Sequence, residues 1–233
     1  MRGKIRIKKV GVNMEEETII GKLKNAIERA TKNVIMVNSD ASYRPAITET
    51  GEIVEHGDNE APEALLKAMI YHEMINEGIP MSDILMEERT PETKGKRSDF
   101  YIDNIISNGK ANELYIEVKT FKTYNVKNQE DEIKNKFKKV LTDKGEIKNN
   151  TIYYDIDKLN KAVKESKENI TKTMMIIADQ SNWIKDVYPV EIMMDGLKHL
   201  LIKDNFSDDI LFAIADNFKA VIISAGEIKG REA

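Results

Sequence analysis

Asp99 opens the run Ser98-Asp99-Phe100-Tyr101-Ile102, and Glu117 and Lys119 close the run Leu114-Tyr115-Ile116-Glu117-Val118-Lys119. Both runs read as strands, joined by a hairpin-type connection from Asn104 to Asn112 that contains Gly109. Strand alternation puts Glu117 and Lys119 on one face and Val118 on the other. If the two strands pair, Asp99 joins them. Two carboxylates and an ammonium at one edge of a sheet can hold a divalent metal and place a water beside it. That is the apparatus for hydrolysing a phosphodiester.

The Glu-x-Lys triplet carries little weight alone, because it also begins at Glu92, Glu132, Glu146, Glu165 and Glu227. Glu132 and Glu165 fall in predicted helices and Glu92 and Glu146 in polar loops; Glu227 is followed by turn signals, with Gly226 and Gly230 beside it. Only the triplet at Glu117 lies inside an apolar strand with an acid-led strand before it. Carboxylates and ammonium groups are rarely buried unless paired or bound to metal, so such a pair calls for an explanation. The bland alternative is a solvent-facing Glu and Lys on an edge strand.

The elements that must position these residues follow from patterning. Residues 4–12 read as a short strand. Glu15 to Thr31 is helical, with Ile19, Ile20, Leu23, Ala26, Ile27 and Ala30 on one stripe. The run Val34-Ile35-Met36-Val37 reads as a strand, and residues 39–60 as a long loop or hairpin. Pro62 suits the first turn of a helix to about Asn76, stopped by Gly78 and Pro80. Ile84 to Glu88 reads as a strand and Thr90 to Arg97 as a basic turn. Glu130 to Leu141 carries a helical patch. Asp155 or Asp157 caps a helix through about Glu168, and Thr173 to Ala178 is an apolar strand. Glu191 to Leu201 is a helix or a strand–helix, Asp208 to Asn217 is helical, and Ala220 to Ser224 is a last buried strand. The order predicts an α/β fold with a central mixed sheet flanked by helices. Residues 1–58 form an N-terminal extension of helix and short strands, and 59–233 the core.

The stretch from Glu63 to Lys119 resembles the PD-(D/E)xK nuclease superfamily, with its restriction-endonuclease-like core. That pattern is a helix carrying an acid, a strand, a basic or glycine-containing turn, a strand starting with Asp, and a strand ending in Glu-x-Lys. Its counterparts here are Glu63-Ala-Leu-Leu-Lys67, the strand near Leu85, Gly95-Lys96-Arg97, Asp99 and Glu117-Val118-Lys119. The helix and strand after Thr151 also fit, and Ser98 stands where the name-giving proline would be. The resemblance implies that Asp99 and Glu117 bind Mg²⁺ (with Mn²⁺ as a substitute), the main-chain carbonyl of Val118 being a further ligand. It implies that Lys119 positions or helps deprotonate the attacking water, and that Glu63 is an auxiliary acid. A first-turn helix acid favoured by the macrodipole is the plain alternative for Glu63, and Glu60 is its substitute. Asp103 shares a face with Asp99 and Tyr101 but sits beyond metal reach, and Glu87 and Glu88 read as surface charge.

The 233 residues carry a net charge of −4, so a nucleic-acid partner has to be met by local charge rather than by the sum. Arg2, Lys4, Arg6, Lys8 and Lys9 cluster near the start, and Lys122, Lys127, Lys134, Lys136, Lys138 and Lys139 follow the Glu-x-Lys strand. Lys96, Arg97, Lys122 and Lys127 are the candidate phosphate contacts. The absence of cysteine excludes disulfides and thiolate sites, and His56, His72 and His199 lack zinc-ligand spacing. No apolar run approaches a membrane span and the N-terminal stretch lacks the apolar block of a signal peptide, so a cytoplasmic location is expected. The expected activity is that of a Mg²⁺-dependent deoxyribonuclease cutting double-stranded DNA, a restriction-like endonuclease working as a homodimer. A structure-selective repair nuclease or exonuclease of the same fold is the alternative, and a non-catalytic nucleic-acid-binding or assembly module is the alternative from another class.

Overall fold

The computed structural model describes residues 14–40, 46–47, 53–54, 61–87, 97–107, 110–121, 137–149, 151–165, 171–179, 190–216 and 219–231. Strand β1 (Met14–Glu15) leads into helix α1 (Glu16–Asp40). Strands β2 (Ala46–Ile47) and β3 (Ile53–Val54) form an antiparallel pair, so the expected loop or hairpin is a hairpin where described. Helix α2 (Ala61–Asn76) ends as expected at Gly78, whose φ of 77° suits glycine and lets Ile79 N–H reach Met74 C=O at 3.0 Å. A 3₁₀ turn (Met81–Asp83), β4 (Ile84–Met86), β5 (Phe100–Ser107) and β6 (Lys110–Phe121) follow. Helix α3 (Ile152–Glu165), β7 (Thr171–Asp179), α4 (Val190–Lys203), β8 (Leu211–Ala215), β9 (Ala220–Ser224) and α5 (Ala225–Gly230) complete the order.

Among the described residues the main sheet has seven strands, six of them in the order β1-β5-β6-β7-β8-β9, with β4 also beside β5. The β4–β5, β5–β6 and β8–β9 pairs are antiparallel; β1–β5, β6–β7 and β7–β8 are parallel. The chain therefore has an α/β fold with a mixed sheet between helical layers. On one face Tyr101, Tyr115, Met175, Ile177, Phe212 and Ile214 pack with α3, α4 and α5. On the other, Phe100, Ile102, Ile116, Val118 and Ile176 pack with α1 and α2. Alternation along β5, β6 and β7 thus feeds two cores, and buried strands of this kind need apolar residues on both sides.

Four expectations need correction. Residues 34–37 are helical, within α1: no Gly or Pro lies between Lys22 and Asp40, and each added residue gains a backbone bond once the helix is nucleated. The predicted helix over 208–217 is strand β8 instead. Leu211-Phe212-Ala213-Ile214-Ala215 is a short continuous apolar run, which a fully buried strand and a buried helix share. The described part of the predicted 130–141 helix is a turn and the start of a small hairpin, bridged at Leu141 and Ile147 around a turn closed by Gly145. Helix α3 is capped by neither Asp155 nor Asp157; Thr151 Oγ1 accepts Tyr154 N–H at 3.1 Å. The predicted strand at 4–12 lies outside the described residues.

Candidate active site

The β5–β6 register is set by Phe100 opposite Ile116 and Tyr101 opposite Tyr115. Extended by one residue, it puts Asp99 beside Glu117 on the face that carries the two tyrosines. Asp99 Oδ2 accepts the main-chain N–H of Val118 at 2.7 Å, which pins the acid to the strand holding Glu117 and Lys119. Both acids are buried, Glu117 to 4 % exposure and Asp99 to 9 %. Strand β6 lies between β5 and β7, so these groups sit at an end of the sheet's interior strands rather than on an edge strand. The bland reading of a solvent-facing Glu117 on an edge is excluded by both facts.

Four helix-borne groups complete the cluster. Helix α2 packs on the opposite face through Leu66, Ile70 and Met74, and its first turns bring Glu63 and Lys67 around the sheet end. Glu63 lies 3.2 Å from Lys119 Nζ and 2.8 Å from Lys67 Nζ, and Lys67 lies 2.7 Å from Asp99 Oδ1. Helix α3 packs on the tyrosine face and contributes Asp155 and Lys158, one helical turn apart. Lys158 Nζ is 2.6 Å from Glu117 Oε1 and 3.6 Å from Asp155 Oδ1, and it donates to Arg97 C=O at 2.9 Å. Asp155 Oδ2 is 3.5 Å from Lys119 Nζ. Four carboxylates and three ammonium groups thus interlock where the two helical layers meet.

Electrostatics follow from burial. Burial pushes the Glu117 carboxyl up to about 8; Lys158 pulls it down, while Asp99 and Asp155 push it further up. Burial likewise raises Asp155, against the pull of Lys119 and Lys158. Burial works against the charged form of Lys119 and Lys67, but the surrounding carboxylates more than offset it, and both ammonium groups are held above the usual lysine range. The tilted Tyr101–Tyr115 ring pair, with centroids 5.0 Å apart, occupies the next cross-strand position and helps keep this environment poorly solvated.

The cluster brings together Glu63, Asp99, Glu117 and Lys119, with Val118 as the hinge between the acids. Asp103 is exposed and separated from Asp99 by an irregularity in the β5–β6 ladder, and Glu87 is exposed. Arg97 is exposed and enters the site through its carbonyl alone among the described contacts. Lys96, Lys122, Lys127, Glu60 and Glu88 lie outside the described residues. Sequence reasoning missed Lys67, Asp155 and Lys158. The signal for Asp155 was present: it falls on the apolar stripe of α3 formed by Ile152, Ile156, Leu159 and Val163, where a carboxylate faces the sheet.

As a donor set the acids offer oxygen only, which suits a hard divalent cation. Two buried oxygens, Glu117 Oε1 and Asp155 Oδ2, are met chiefly as ion pairs, by Lys158 Nζ at 2.6 Å and Lys119 Nζ at 3.5 Å. Among the described residues, however, no three acidic or histidine side chains form a ready ligand cluster. The lysines lie between the acids. Comparison with protein-family models, with curated proteins and with solved structures finds no match for this chain.

Proposed function

We propose that this protein is a metal-dependent nuclease that hydrolyses DNA phosphodiester bonds, acting as a restriction-like endonuclease on double-stranded DNA. The observation that carries the reading is Asp99 beside Glu117 on one face of paired strands, with Lys119 two residues further along the same face. The run α2, β4, β5, β6, α3, β7, with antiparallel β4–β5–β6 and parallel β6–β7, supports it as well, since this is the element order that the resemblance to the PD-(D/E)xK superfamily implies.

In this reading Asp99, Glu117 and the Val118 carbonyl would hold Mg²⁺, which would supply charge neutralisation at the phosphate and a more acidic water. Lys119 orients that water and stabilises charge developing on the phosphoryl oxygens. Glu63 fixes Lys119 through its ion pair and keeps the ammonium at the site's mouth. Two protomers cutting opposite strands complete the proposal.

Purified protein incubated with circular, linear and branched DNA in Mg²⁺ or Mn²⁺ tests it. Cutting of circular duplex that stops with EDTA and with Lys119→Ala is the expected result. Cutting restricted to free ends or to branches would move the reading to an exonuclease or a repair nuclease. Binding without cutting under every condition would leave a nucleic-acid-binding module.

A further inference from the structure

The nuclease reading leaves Lys158 without a task, yet no lysine among the described residues is more deeply placed: it is 6 % exposed. Its ammonium touches Glu117 at 2.6 Å, approaches Asp155 at 3.6 Å and donates to Arg97 C=O at 2.9 Å. Glu117 Oε1 and Asp155 Oδ2 are buried oxygens without an aligned hydrogen bond, and Lys158 lies against both residues. A buried carboxylate needs a cation nearby, and an ammonium and a divalent ion compete for the same oxygens.

We infer that Lys158 is a built-in competitor for the divalent cation: its ammonium occupies the cation position between Glu117 and Asp155, and metal binding displaces it. The inference rests on the metal-binding part of the nuclease reading. In the lysine-paired arrangement Lys158 balances Glu117 while Lys67 balances Asp99. A dication bound to Glu117 repels the ammonium, which moves off the carboxylate with its Arg97 carbonyl bond as the remaining tether. Arg97 lies two residues before Asp99, so that tether holds the displaced charge beside the loop that delivers the other acid. Asp155 comes from the same helix face as Lys158 and becomes available to the ion or its water shell when the ammonium leaves. Lys158 is therefore a positioning residue, acting through Glu117.

Calorimetric titration of Mn²⁺ into the metal-free full chain tests this, with wild type, Lys158→Met, Lys158→Gln and Lys158→Arg compared at one pH. Removing the ammonium is expected to tighten Mn²⁺ binding about tenfold, near the 1.4 kcal/mol that a modest charge competition amounts to. Lys158→Arg, which keeps the charge, stays near wild type. Lys158→Gln keeps a donor for Arg97 C=O and stands in if the methionine variant does not fold. Mn²⁺ affinity unchanged or weakened in the neutral variants overturns the inference and makes Lys158 a structural brace. DNA cleavage measured on the same samples separates the two readings. Tightened binding without any cleavage keeps the competitor and removes the nuclease, cleavage without tightened binding does the reverse, and no Mn²⁺ binding by wild type or by either neutral variant removes both.

Discussion

Two charged networks in this molecule are built from similar side chains and differ in nearly everything else. Between α1 and α2, Arg29 pairs with Glu73 at 2.9 Å and with Glu77, while Asn25 also bonds Glu77. Arg29 has a side chain 47 % exposed, and it donates to Glu73 at 2.9 Å. At the sheet end, four acids and three lysines from α2, α3 and the sheet interlock with little exposure, and two buried oxygens lack aligned bonds. The first network is what an ion pair joining two helices looks like: its guanidinium is half in water and its acids have hydrogen-bond partners. The second carries the desolvation cost of buried charge without the complete hydrogen bonding that would offset it. Strand β7 shows what the same sheet does without such demands, since Met174 to Ala178 are all apolar and fully buried. An arrangement that costs stability and remains imperfectly satisfied fits a role in binding or chemistry.

Breaking the acids tests that contrast most strongly. If the proposed function holds, Asp99→Asn or Glu117→Gln is predicted to reduce cleavage at least about 100-fold, because in that reading each removes a charged metal ligand. The metal-free variants are predicted to melt at or above the wild-type temperature, because each substitution relieves carboxylate repulsion. A large drop in melting temperature for Glu117→Gln in chelator would mean that the Lys158–Glu117 pair holds the fold, and the two networks would then be of one kind.

Lys119→Ala comes next. Turnover is predicted to fall by about 100-fold or more, as for loss of a positioned proton-transfer or charge-stabilising group. DNA affinity is predicted to stay within about twofold, because one phosphate contact among several contributes little. Gel-shift affinities in Ca²⁺ set against single-turnover rates in Mg²⁺ check the split. Equal losses in both would make Lys119 an ordinary phosphate contact.

The parts of this site that were legible in the sequence are those where spacing alone fixes geometry. Period two places Glu117 with Lys119, and a hairpin with an acid-led first strand places Asp99 beside them, so local pattern and register suffice. Lys67 and Lys158 were not legible as site residues, because helix position gives a face but not the height at which that face meets the sheet. Asp155 was read as a cap since acids favour helix starts; Thr151 takes that role, and the apolar stripe carries Asp155 inward instead. The same limit explains β8, whose five apolar residues lie between β7 and β9, all but Leu211 buried, and carry no period to separate strand from helix. In α1, the apolar run 34–37 has strand-like composition, and the helix entering it from Glu16 decides its state.

A pH series sharpens the comparison with a smaller effect. Burial raises the folded Glu117 to about 8 from an ordinary 4.5. The stability tied to its protonated form is fully present below about pH 4.5 and is lost as pH rises through about 8. Glutamine mimics that protonated form at every pH. The melting temperature of metal-free Glu117→Gln, measured relative to wild type, is therefore predicted to be level near pH 5 and to pull ahead toward pH 9. A gap that instead closes with rising pH would show that ionised Glu117, paired with Lys158, is the stabilising form.

The smallest effect belongs to the other network. Arg29→Ala is predicted to leave cleavage and Mn²⁺ affinity unchanged and to lower the melting temperature by a few degrees at most. The guanidinium is half in water, so its Coulombic gain is screened and its removal exposes little that was dry. Glu73 is the exception, at 7 % exposure, and it keeps Asn76 as a neighbour at 3.4 Å when Arg29 is gone. Most of the loss should therefore come from Glu73, and Glu73→Gln in the Arg29→Ala background is predicted to recover part of it. The acid-to-amide change at Glu117 and the same change at Glu73 thus make a matched pair: the first removes activity and the second leaves it untouched. If Arg29→Ala altered cleavage as strongly as it altered stability, the α1–α2 joint would be coupled to the sheet end. The most direct route for that coupling is α2, which carries Glu73 in its last turn, with Glu77 just beyond it, and Glu63 and Lys67 near its first.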